Sequence, residues 1–179
     1  MTNLDSPVAA AGKTELALVI TRIFDAPREA VFKAWTDPAQ IALWLGPRSI
    51  RAKVDKMDLR PGGAYRIVFH DKEGEVHIVG GSYREIVPPE RLAFTWTWET
   101  EAANHSAGHE TIAVLTFKEV DGKTEMTMQH ERFDTAASYD GHNQGWIGSF
   151  DKLAELLAGG QVDRSTNANA GDHDGCHGR

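Results

Sequence analysis

The sequence predicts an α+β domain: a curved antiparallel sheet of about seven strands wrapped around one long C-terminal helix, with two short helices after the first strand. Three observations carry this expectation. Between residues 49 and 131 the apolar residues repeat with a period of two, in runs joined by short turns that rule out a parallel crossover sheet. From Tyr139 to Leu157 the period changes to that of a helix, with Tyr139, His142, Trp146, Phe150, Leu153 and Leu157 on one face. A long helix with one aromatic face, following several strands, needs a curved sheet to cover it.

In chain order, Glu15 to Phe24 is rich in β-branched residues and reads as the first strand, ending at Asp25-Ala26-Pro27. Pro27 opens a short helix with an inner stripe of Ala30, Val31, Ala34 and Trp35. Asp37 as N-cap, Pro38 behind it and Gln40 three residues on start a second, whose apolar face is Ile41, Trp44 and Leu45. The remaining strands are expected at Ile50 to Leu59, Tyr65 to His70, Val76 to Val87, Arg91 to Trp98, Glu110 to Val120 and Lys123 to Glu131. Gly80-Gly81 signals a bulge or a close approach of another backbone, and Asp121-Gly122 a two-residue hairpin turn. In the long helix Asp140, Asn143, Asp151, Lys152 and Glu155 form the polar face. Each interior Gly there costs about 1 kcal/mol relative to Ala, so Gly145 and Gly148 call for a close neighbour or for space beside a ligand.

The 179 residues fit one domain, placed at 14–158, with a disordered N-terminus at 1–13 and a flexible tail at 159–179. A net charge of −7 lacks the basic stripe that neutralises phosphates, which argues against nucleic acid and against an anionic membrane surface. Leu16 to Phe24 is too short to span a bilayer. Cys176 has no intrachain partner and the N-terminus has no signal-peptide pattern, so the expected location is cytoplasmic.

Several motifs are recognisable as a set. Arg22-x-Phe24-Asp25-Ala26-Pro27 and Val31-Phe32-x-Ala34-Trp35-Thr36-Asp37-Pro38 come first, followed by Trp44-Leu45-Gly46-Pro47 and Asp58-Leu59-Arg60-Pro61-Gly62-Gly63. Gly81-x-Tyr83-x-Glu85-Ile86, Arg91-Leu92-x-Phe94-Thr95-Trp96 and Gly145-Trp146 with Leu153 complete it. In this order the chain resembles, from about Glu15 to Leu157, single-domain members of the family related to the C-terminal domain of the activator of Hsp90 ATPase, within the START/Bet v 1-like superfamily. The resemblance implies a helix-grip fold with a cavity between sheet and C-terminal helix. It does not fix a function, because the superfamily holds carriers, cyclases and stress proteins. Eukaryotic activators of Hsp90 carry an additional N-terminal domain, for which this chain has no room.

The expected ligand-binding residues are Trp44, Tyr65, Phe69, Trp96, Trp98, Met126, Met128, His130, Trp146 and Phe150, an apolar and aromatic set with one polar group. The same side chains also suit a plain packed core. His130 follows the inward-facing Met126 and Met128, where it either orients a ligand, serves as a general acid/base or is a hydrogen-bonded core residue, and His142 is placed near the same mouth. For an enzyme, the catalytic set is His130 with Tyr83 and Glu85; no Ser or Cys nucleophile is paired with a His. Arg22, Asp58, Arg60, Tyr83 and Glu85 suit either a ligand's polar group or salt bridges that fix turns and strand ends.

His105-x-x-x-His109-Glu110 has metal-like spacing in a loop, and His173, Cys176 and His177 carry ligand types in the tail. Neither makes a complete site, so no metal and no cofactor is expected. The expected function is binding of a small hydrophobic molecule. The alternatives are a cyclase- or hydrolase-type enzyme using a cavity His, and an Hsp90-type co-chaperone. A C2 homodimer is compatible with an exposed helix or sheet face.

Overall fold

The structure is a computed structural model that describes residues 16–159. The expected disordered N-terminus, the flexible tail and the cluster of His173, Cys176 and His177 lie outside the described residues. The elements run β1 (Leu16–Phe24), α1 (Arg28–Thr36), α2 (Pro38–Trp44), β2 (Arg51–Met57), β3 (Ala64–His70), β4 (Val76–Val87), β5 (Arg91–Trp98), β6 (Glu110–Val120), β7 (Lys123–Phe133) and α3 (Ala136–Leu157). The strands form one seven-stranded antiparallel sheet in the order β1-β7-β6-β5-β4-β3-β2. All hairpin neighbours are sequential; only β1 crosses to the far edge, beside β7. The helices α1 and α2 bridge from β1 to β2 at the opposite edge.

The period-two pattern translates directly into burial. Tyr65, Ile67 and Phe69 on β3, Leu92, Phe94 and Trp96 on β5, and Met126, Met128 and His130 on β7 all point to the concave side. Against them α3 lays Trp146, Phe150 and Leu153. Burying a side chain such as Phe150, which is fully enclosed, contributes roughly 1.5–3 kcal/mol. Trp35 and Trp44 from α1 and α2 close the same core, their rings edge-on at 4.7 Å.

Local signals explain most boundaries. The Asp37 carboxylate accepts from the Ala39 N–H at 3.0 Å and caps α2, while Gln40 reaches that carboxylate instead of the backbone. The Asp121-Gly122 turn has φ of 53° and 79°, the left-handed pair that a two-residue hairpin demands. Gly81 is a close approach: a Cβ there would lie 2.1 Å from the Thr95 carbonyl oxygen. The irregularity in that strand pair falls instead between Tyr83 and Glu85.

Three details depart from the sequence reading. The long helix starts earlier, at Ala136, because the Thr135 side chain accepts from the Ser138 N–H at 3.0 Å. Lys152, expected on the polar face, is buried, and its ammonium donates to the Pro47 carbonyl at 3.3 Å. Last, β7 carries a register shift against β1 at Arg132, whose φ is +81°. This bulge breaks strict alternation so that both His130 and Phe133 face inward, with ring centres 4.5 Å apart.

Two ion pairs fasten the C-terminal half of α3. Arg22 of β1 holds Asp151 at 2.6 Å, and Arg48, after α2, holds Glu155. No helix among the described residues is long and apolar enough to cross a membrane.

Candidate functional site

Between the concave face and the N-terminal half of α3 lies a partly open cavity of about 430 Å³. Its walls come from four places. The sheet supplies Phe69, His77, Trp96 and Trp98; the loop between α2 and β2 supplies Leu45, Gly46, Pro47 and Ile50. The loop between β5 and β6 adds Asn104 and His105, and α3 adds His142, Gly145, Trp146 and Ser149 with Gly141 and Gln144. The glycines of α3 have distinct causes. A Cβ on Gly141 would lie 2.6 Å from the Asn104 Cβ, so this glycine admits the β5–β6 loop. A Cβ on Gly148 would lie 3.5 Å from the Pro47 Cα, an ordinary contact. Gly145 meets nothing within 4 Å, because it faces the cavity.

Of the residues expected at a ligand site, Phe69, Trp96, Trp98 and Trp146 line this cavity. Trp44 and Tyr65 instead border a second void of about 30 Å³, together with Tyr83. Met126, Met128 and Phe150 lie behind the wall in the closed core, where Met126 Sδ accepts from the Trp35 indole at 3.3 Å. The concave face is closed, apart from that small void, where Trp35 and Trp44 of α1 and α2 pack on it, and it opens into the larger cavity at Trp96 and Trp98.

His130 is also behind the wall, with no exposed surface. The Trp146 indole N–H donates to its Nδ1 at 3.0 Å. Its Nε2 lies 2.8 Å from Thr111 Oγ1, whose own hydrogen goes to the Trp96 carbonyl at 2.8 Å, so Nε2 carries the proton. Both ring nitrogens are engaged and the ring is neutral. Burial, and then the nearby His142, hold its pKa well below the ordinary range. This is a structural histidine without a free nitrogen for proton transfer. Tyr83 is buried beside Tyr65, and burial raises its pKa. Glu85 is half-exposed and bound to Arg91 at 2.7 Å. The expected catalytic set of His130, Tyr83 and Glu85 is therefore not brought together around the cavity.

His142 occupies the wall itself. Its Nδ1 donates to the Ser138 carbonyl at 2.7 Å, and its Nε2 accepts from the indoles of Trp98 at 3.0 Å and Trp96 at 3.3 Å. Burial lowers its pKa, against a smaller opposing effect of the Ser138 backbone and Asp134. His105 stacks flat on Trp98, with ring centres 3.9 Å apart at 16°. Burial, then His142 and His77, hold its pKa down at about 4. His109 does not join it: its Nε2 donates to the Arg132 carbonyl at 2.6 Å, so the four-residue spacing is not a metal pair. Sequence reasoning passed over His77, Asn104 and His105 as cavity residues. The only available signal was a histidine in the polar loop after the aromatic strand.

The polar residues of the recognised motifs form salt bridges: Arg22 with Asp151, Asp58 with Arg60 at 2.9 Å, and Glu85 with Arg91. A group that sequence reasoning did not single out is Asp71, Glu75 and His77, whose ligand atoms lie within 4.8 Å of one another. Asp71 Oδ1 already accepts the N–H groups of Glu73 and Glu75 at 2.9 and 2.8 Å, and the bond from Glu75 is the main cause of its lowered pKa. These three could hold a cation only in competition with that turn.

A curved antiparallel sheet gripping a C-terminal helix, with a cavity between them, is the architecture of the helix-grip class. Within it, the chain belongs to the family described as Activator of Hsp90 ATPase homolog 1-like protein, which matches residues 25–158. Among solved structures, a protein from Chromobacterium violaceum is 30% identical with a TM-score of 0.73, the match covering 79% of this chain and 96% of that one. A protein of the same family from Silicibacter pomeroyi is 28% identical with a TM-score of 0.69, covering 80% and 98%. A protein from Arthrobacter aurescens, at 22% identity, shares the fold over 98% of both chains with a TM-score of 0.71. No curated protein matches the chain.

Proposed function

We propose that the protein binds a small apolar molecule, non-covalently, in the cavity between its sheet and α3. The observation that carries this reading is Gly145. A helix-interior glycine is unfavourable by about 1 kcal/mol, and here it leaves open a cavity of about 430 Å³ with aromatic walls. That volume lies in the range of small-molecule sites, which pair apolar walls with a few polar groups. An enzyme of the cyclase or hydrolase type finds less support, since His130 has both nitrogens engaged and Glu85 is tied to Arg91.

The test is native mass spectrometry of the freshly purified full chain, with a denatured extract beside it and Gly145→Leu as the filled-cavity variant. A small-molecule adduct that is lost on denaturation and absent from folded Gly145→Leu is the expected result. Bare mass for both proteins, with no thermal shift in the wild type across an apolar compound set, would overturn the reading. A ligand of the folded state must raise stability by RT ln(1 + [L]/Kd).

A further inference from the structure

The polar atoms of the cavity wall fall into two groups. Those of the floor already have internal partners or are covered. The indoles of Trp96 and Trp98 end on His142 Nε2, whose Nδ1 is bonded to the Ser138 carbonyl, and the Trp146 indole ends on His130. Ser149 Oγ accepts from the Gly46 N–H at 2.8 Å and donates to the Gly145 carbonyl at 2.9 Å. His77 Nδ1 and His105 Nε2 have no hydrogen-bond partner, but protein covers both atoms and a molecule in the cavity cannot reach them. A ligand hydroxyl or amide carried to the floor therefore gives up water and finds no partner.

The rim is different. Of the lining residues only Pro47, Asn104 and Gln144 are exposed, and the last two carry carboxamides. Neither amide has a hydrogen-bond partner among the described residues. Asn104 is nevertheless fixed in place. Ala102 and His105 exchange backbone hydrogen bonds at 3.0 and 3.3 Å, closing a short turn around it, and His105 is stacked on Trp98. Its side chain packs over Gly141, where an added Cβ would meet the Asn104 Cβ at 2.6 Å and Nδ2 at 3.1 Å. Gln144 follows Gly141 by three residues and so shares that flank of α3. Each carboxamide offers both a donor and an acceptor. No Lys, Arg, Asp or Glu lines the cavity to balance a ligand charge.

We infer that the cavity takes an amphipathic molecule end-on, with one uncharged terminal group that both donates and accepts, a hydroxyl or a carboxamide, held at the mouth by Asn104 and Gln144. The apolar body lies against Phe69, Trp96, Trp98 and Trp146. This rests on the cavity-binding reading above and adds a ligand class and an orientation to it. Asn104 and Gln144 are the residues that set specificity, and the aromatic floor supplies affinity without discriminating between polar ends.

The experiment is calorimetric titration of the full chain at pH 7.5 with 1-nonanol, 5-nonanol and nonanoate. 1-Nonanol is expected to bind about tenfold tighter than 5-nonanol, whose central hydroxyl either enters the unmatched floor or keeps part of the body out of it. Asn104→Ala combined with Gln144→Ala alters only exposed side chains. It is expected to weaken 1-nonanol by about tenfold and leave 5-nonanol unchanged. Gln144→Lys supplies the missing counterion and is expected to raise the affinity for nonanoate by a similar factor. Equal effects of the double variant on the two alcohols, or an unaltered nonanoate affinity in Gln144→Lys, overturn the rim site; binding that Gly145→Leu abolishes keeps the cavity reading standing in either case. Tightest binding of nonanoate by the wild type overturns the requirement for an uncharged end. Failure of every probe on the wild type counts against the cavity reading itself, and the rim site falls with it.

Discussion

Protonating His142 would set a third N–H against two indole N–H groups, and protonating His130 would do the same toward Trp146. With His105 in its stack on Trp98, three buried histidines are thus held neutral. In the unfolded chain each titrates near ~6.5, so below that pH the unfolded state binds more protons than the folded one. Stability is therefore full above about pH 7. It declines as pH falls, by up to about 1.4 kcal/mol per pH unit for each histidine, and His105 stops contributing once it protonates at about 4. Denaturant melts from pH 7.5 to 5 should show this slope, before carboxylates such as the low-titrating Asp71 take part. His130→Leu should make it shallower by the share of one histidine and cost roughly 1–3 kcal/mol at pH 7.5 by stranding the Trp146 N–H. A pH-independent midpoint would contradict the neutral network.

Within α3 the two cavity-side glycines should respond in opposite ways. Gly145→Ala meets open space and should raise stability by up to about 1 kcal/mol. Gly141→Ala drives a Cβ against Asn104 and should lower stability or displace the β5–β6 loop. Thermal melts of the pair read both signs. In β7, Arg132 holds a left-handed φ on an exposed side chain, and Arg132→Gly should gain about 0.5–1 kcal/mol; a loss would show that the side chain itself is needed. The β7 bulge marks where sequence reading stopped. Alternation and the Asp121-Gly122 turn defined the β6–β7 hairpin, but nothing in Glu131-Arg132-Phe133 announces an extra residue, because an arginine fills a position that glycine usually marks. The start of α3 was missed for the opposite reason: Thr135 is an ordinary cap, but the aromatic stripe begins only four residues later.

At the scale of the whole molecule, the run of hairpin-joined strands from β2 to β7 and the grip on α3 followed from patterns that a sequence displays: period two, then period 3.6, with short turns between; the place of β1 beside β7 did not. The division of the concave face into core and cavity did not. Phe150 and Trp146 are equivalent on the helical stripe, and Met126 and Trp98 equally apolar on their strands; which of them faces a void depends on how far α1 and α2 reach across the sheet. The cavity lies under the half of α3 that carries Gly141 and Gly145, while both ion pairs hold the other half. Ligand binding should therefore slow hydrogen exchange at residues 141–149 and in the loop between β5 and β6, and leave β1 and β7 unchanged. Uniform protection would point to global stabilisation instead.

All five tryptophans of the chain belong to one connected series. Trp44 meets Trp35 at 4.7 Å, Trp35 meets Trp146 at 5.8 Å, Trp146 meets Trp96 at 5.1 Å and Trp96 meets Trp98 at 5.7 Å, where the series ends on the His105 ring. Indoles this close exchange electronic excitation, so light absorbed in the core at Trp44 is shared with the indoles of the cavity wall. The protein accordingly carries its own optical probe. Whatever settles beside Trp98, whether an aromatic guest or a proton on His105, acts on the emission of the whole set, and the cavity can be followed by intrinsic fluorescence without a label.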